Sequence, residues 1–158
     1  MKQTFKTGLF FGITSGIITT LGLMVGLEAG TNSVLAVIGG VLTIAIADAF
    51  SDSLGIHVSQ ESEKKNTSKQ VWESTFSTFL TKFFVAITFV IPVLIFDLPT
   101  AILSSVIWGL TLLGIVSYFI AKAKNEKPWE VVTQHVGIAL VVVVITHLFG
   151  DFIALFFV

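Results

Sequence analysis

Five long apolar stretches, at residues 5–27, 33–58, 72–96, 100–121 and 131–158, are separated by short polar breaks. Each supplies the ~20 residues an α-helix needs to cross a bilayer. Polar breaks stand at 28–32, 60–70, 96–99 and 122–129, where Gly, Pro, Asn, Asp and Lys collect. Inside hydrocarbon a segment must satisfy its own backbone polar groups, so the stretches are predicted as helices. The expected fold is an all-α integral membrane protein, one five-helix domain over residues 1–158. Lys2 and Lys6 ahead of an apolar segment also fit a signal peptide. That segment is rich in Gly and Thr and more spans follow it, so it is read as an uncleaved first helix.

The polar residues inside the stretches carry the candidate chemistry. Asp48 and Asp52 lie in the second, where an ionisable group costs a few kcal/mol and by default marks an ion or proton path. At about 100° per residue the two project within about 40° of each other, a face that Ser59 and Glu63 share. His57 and Glu61 form a second i,i+4 pair on the opposite face. Asp48 and Asp52 are spaced to hold one cation at about 2.0–2.6 Å from each oxygen, with His57 and Glu61 as further ligands at the inner mouth. Two neighbouring carboxylates in a low dielectric do not both stay charged without an ion, so one is expected to hold a proton that metal entry displaces.

The first stretch carries Gly8, Gly12, Ser15, Gly16, Thr19, Gly22 and Gly26 on one sector. Small residues let backbones approach closely in lipid, so Gly12 and Gly16 are read as helix-packing positions, with span one near the two-fold axis of a homodimer. A seam that also lines a path is the other reading, served by Ser15 and Thr19. In the third stretch Ser74, Thr78, Thr81 and Thr88 are expected to bond back to their own helix, and Pro92 to kink it. Lys82 is expected to snorkel to the headgroups, the alternative being that it neutralises an acid on span two. The fifth stretch holds His135 near one end, and His147 with Asp151 at i,i+4 near the other. That pair suits a cation or a proton relay, or a structural hydrogen bond. Ser15, Thr19, His147 and Asp151 together make the expected translocation path.

Composition narrows the class. Charged residues make up 12% of the chain, about half the usual share of a soluble domain. With no Arg and no clustered basic surface, nucleic acid is not an expected partner. The absence of Cys removes thiolate chemistry. No nucleophile–base constellation, phosphate loop or HExxH occurs, so an enzyme is not expected. All the Lys except Lys82 fall on one side of a five-span topology, while the opposite breaks carry only Glu28 and Asp97. The positive-inside bias then puts the N-terminus in the cytosol and the C-terminus outside.

The run Gly12-Ile-Thr-Ser-Gly16-Ile-Ile-Thr19-Thr20, the segment Ser59-Gln60-Glu61 and the five spans resemble the vacuolar iron transporter family. The resemblance implies a homodimer that exchanges divalent iron or manganese for protons, along a path lined by spans one and two. Two features depart from the family pattern. The family's span-one Asp falls on Ser15, and its Glu-rich cytosolic insertion is missing between spans two and three. Asp48 and Asp52 are the residues available to replace the lost carboxylate. The function expected is proton-coupled transport of a divalent cation such as Fe²⁺ or Mn²⁺, bound as substrate with no permanent cofactor. Expected partners are metal ions, protons, lipids and a second copy, in the plasma membrane of a prokaryote. The alternatives are a non-transporting structural or accessory membrane protein and an intramembrane enzyme.

Overall fold

The computed structural model describes residues 3–157; Lys2 and Val158, named above, lie outside them. Six helices follow in order: α1 Gln3–Thr31, α2 Val34–Ser62, α3 Ser68–Thr88, α4 Val90–Ile95, α5 Leu98–Lys124 and α6 Pro128–Phe157. With α3 and α4 forming one interrupted span, five are long and apolar enough to cross a membrane. A 29-residue helix such as α1 or α2 is about 44 Å long, more than the ~30 Å hydrocarbon core, so its ends reach the headgroups. Large apolar side chains such as Leu35, Phe50, Phe84, Leu94 and Phe149 point outward, as lipid-facing helices require. The protein is an integral membrane protein of five spanning segments.

The helix ends follow from local chemistry. The break expected at 28–32 is mostly helical, because Glu28 to Thr31 contain nothing that opposes a helix. Only Asn32, at φ 45°, and Ser33 separate α1 from α2. Ser33 caps α2 by accepting from the Ala36 N–H at 3.2 Å. Thr67 and Gln70 form a reciprocal capping box at the start of α3. Asp97 caps α5, Asn125 closes it in the left-handed conformation, and Pro128 opens α6. Pro92 acts earlier than its own position. Its ring has no N–H and excludes the carbonyl four residues back, that of Thr88, so the ladder breaks at Phe89. The Trp108 indole then ties the break to α5 by donating to Thr88 Oγ1 at 3.2 Å.

Helix α1 is the hub, in contact with α2, α3, α5 and α6. Half of its apolar stretch is buried, against 11% for α6. The small-residue row explains why. A Cβ on Gly12 would stand 2.7 Å from the Thr78 carbonyl oxygen, and one on Gly8 would collide with Ser74 O, both on α3. Further along, Gly26 and Gly30 lie against Thr146 and Gly150 of α6. The glycine row therefore seats two neighbours of its own chain, which corrects the expectation that it faces a two-fold axis. A second copy would have to use other faces. Ile17, Leu21, Met24, Phe89 and Leu113 fill the core around this hub.

Gly12→Ala should destabilise the protein by about 1–3 kcal/mol through overpacking against α3. Gly39, with nothing within 4 Å of an added Cβ, is the control. Gly39→Ala should be neutral or stabilising by about 1 kcal/mol or less from helix propensity. Thermal unfolding of the purified variants in detergent reads both, and equal effects would overturn the assignment of the seam.

Candidate functional site: a lysine between two aspartates

Three spanning helices meet at mid-length, where α2 and α3 bring charges and α1 a hydroxyl. Asp48 stands fourteen residues from either end of α2, at the helix midpoint. Asp52 lies one turn on. Small buried residues on the same side of α2, Ala45, Ala49 and Ser53, let α3 approach closely. Lys82 of α3 then points inward, its side chain 2% exposed, and stands 2.5 Å from Asp48 Oδ2. Its ammonium also donates to Asp52 Oδ2 and, at 2.9 Å, to Ser15 Oγ of α1. The Ser15 hydroxyl donates its own proton to Asp52 Oδ2 at 2.6 Å. Gly16 clears room for the lysine stem, since a Cβ there would stand 3.3 Å from Lys82 Cγ.

This arrangement satisfies the ammonium almost completely. Its three N–H donors face Asp52, Ser15 and Asp48, and that is why a lysine is tolerated so deep. Asp48 Oδ2 accepts no directed hydrogen bond among the described residues, so its contact with Lys82 is an ion pair alone. With all three groups charged the cluster carries a formal charge of −1. The acids are not sealed: the Asp48 and Asp52 side chains are 25% and 22% exposed. Asp48 also lines a groove of about 600 Å³ with Thr19, Gly39, Thr43 and Ser51. Toward the start of α1, Gly8 and Gly12 pack tightly against α3.

The other candidates separate from this cluster. Lys82 does not snorkel, because about 21 Å of helix lies between it and the start of α3, beyond the reach of its stem. His57 faces α3, with Nδ1 2.9 Å from Thr75 Oγ1 and its ring against Trp72. Glu61 is exposed. Neither joins the aspartates: His57 is engaged by Thr75 and Trp72 nearer the end of α2, and Glu61 lies a turn beyond it. Among the described residues no three His, Asp or Glu side chains converge as metal ligands. His147 and Asp151 do pair, at 3.6 Å, but both are more than half exposed on α6. The expected path from Ser15 and Thr19 to that pair is not formed, because α6 turns this edge outward. Thr19 bonds back to the Ser15 carbonyl at 2.9 Å and serves the groove, not a ladder. His135 sits 2.8 Å from Ser117 Oγ across the α5–α6 contact.

Sequence reasoning placed Ser15 on a path and the aspartates on one face, but gave the pairing of Lys82 with a span-two acid only as the alternative to snorkelling. The available signal was its depth: a charge near the middle of a span needs an internal partner. No protein-family model and no curated protein matches the chain.

Lys82→Met should destabilise the protein by about 3–5 kcal/mol, because two carboxylates are left facing each other without a counter-ion. Adding Asp48→Asn and Asp52→Asn should recover most of that loss, as an uncharged cluster needs no lysine. Thermal unfolding of the single and triple variants checks this, and a triple variant no more stable than the single one would contradict it.

Proposed function

We propose that the protein is a membrane transporter of a divalent, iron- or manganese-like cation, exchanged for protons, with Asp48 and Asp52 as its ligands. The observation that carries this reading is a pair of acids at the midpoint of a spanning helix, held by a cation built into the chain. Lys82 stands where the transported ion would stand. An arriving ion competes with the ammonium for the same carboxylate oxygens, so the site holds either the lysine or the ion. Ser15 supplies a neutral oxygen in place of a third carboxylate. Thr19, Thr43 and Ser51 offer hydroxyls beside Asp48 along a shallow groove. The formal charge of −1 at the cluster favours a bound cation or proton over a bound anion. The lysine-rich breaks support a cytosolic N-terminus, and a prokaryotic plasma membrane and a homodimer complete the reading.

A second reading draws on the same ion pair. Hydrogen-bonded to Asp52 and Ser15 and ion-paired with Asp48, Lys82 also suits a permanent staple between α2 and α3 in a non-transporting structural or accessory protein. Transport separates the two. Protein reconstituted in liposomes with an internal pH dye should show a metal-dependent pH change on addition of Mn²⁺ or Fe²⁺. Asp48→Asn and Asp52→Asn should each abolish it while the purified protein stays folded. If the native protein moves none of Fe²⁺, Mn²⁺, Co²⁺ or Zn²⁺, the staple reading holds.

A further inference from the structure

An aromatic groove lies away from the charge cluster, on the outer side of the α2–α3 contact. It measures about 710 Å³, a volume in the range of small-molecule sites, and Phe50, Trp72, Phe76 and Phe79 form most of its wall. His57 and Thr75 lie at one end, near the last turns of α2 and the first turns of α3. Phe50 lies about 10 Å further along α2 and Phe79 about 6 Å further along α3, toward the helix middles. The cavity thus has a polar end and an aromatic body running toward the middle of the two helices.

The polar end has a defined hydrogen-bonding sense. Thr75 Oγ1 donates its single proton to the Val71 carbonyl at 2.8 Å. With that proton committed to Val71, we assign the 2.9 Å contact with His57 Nδ1 as the ring N–H donating to Thr75 Oγ1, an arrangement that leaves Nε2 as an acceptor. The edge-on contact with Trp72 holds the ring in place. A lipid acyl chain fills apolar space but offers nothing to a hydrogen-bond acceptor. A hydroxyl on a flat ring satisfies both ends of the cavity at once.

We infer that this cavity binds a membrane-dissolved ring compound carrying a hydroxyl, of the phenol or quinol class. Its O–H donates to His57 Nε2, and its ring lies among Trp72, Phe76, Phe79 and Phe50. The inference does not depend on transport at Asp48 and Asp52, since the two sites share no charged residue.

The test uses full-length protein in nanodiscs with Trp108→Phe and Trp129→Phe, which leaves Trp72 as the sole indole. Two probes of one shape, 4-nonylphenol and 4-nonylanisole, differ only in whether the oxygen can donate. Nonylphenol should quench Trp72 saturably, at about a tenfold lower mole fraction than the anisole, the worth of one well-placed hydrogen bond. His57→Phe should bring the phenol to the level of the anisole, while His57→Gln, which keeps an acceptor, should retain part of the difference. Both variants are first checked for a monodisperse, folded protein with the far-UV spectrum of the native chain. Equal titrations of the two probes in the native protein would overturn the inference and leave an acyl-chain groove. A preference for the phenol that survives in folded His57→Phe would overturn it as well.

Discussion

A charge in the middle of a bilayer has no water to answer it, so every partner must come from the protein. Lys82 imposes this constraint on three helices together. Its ammonium draws α2 toward α3 through Asp48 and Asp52 and joins α1 through Ser15. None of the three groups is tolerable there alone. Removing Lys82 leaves two carboxylates without a counter-ion, which is why buried ion pairs are costly to break even where forming them adds little net stability.

Backbone proximity makes that convergence possible. Gly8 and Gly12 bring α1 against α3, and Gly16 leaves the volume that the lysine stem occupies. Beyond it, Gly26 and Gly30 hold α6 at Gly150, so one helix organises both halves of the bundle. Lipid tails are as apolar as leucine and give no hydrophobic drive between spanning helices. Close packing and interhelical hydrogen bonds take its place. Thr78 illustrates the second, bonding its own helix at the Ser74 carbonyl and reaching the Gly8 carbonyl of α1 at 3.3 Å.

The cluster and the aromatic cavity place two different chemistries on α2. Asp48 and Asp52 occupy the face turned to α1 and α3, where small residues leave room for a cation. His57 sits on an adjoining face, among rings. A resident lysine also changes the character of the acid pair. Two isolated carboxylates would call for an ion or a proton at all times, whereas these have a counter-ion that can be displaced but not lost.

The five spans, the acid pair on one face and the small-residue row were legible from residue order alone. Hydropathy, the helical repeat and the i,i+4 spacing of Asp48 and Asp52 are properties of single segments, and in lipid a segment has few alternatives to a helix. The boundaries and the break caused by Pro92 were close to legible, because caps and proline act within a few residues. Which helix faces which was not. Whether the α1 glycines met a second copy or α3 and α6, whether Lys82 reached the headgroups or Asp52, and whether His57 joined the acids or Thr75 all turn on the rotation of each helix about its axis. That rotation is settled by packing among helices distant in sequence, and only the tertiary structure decided it.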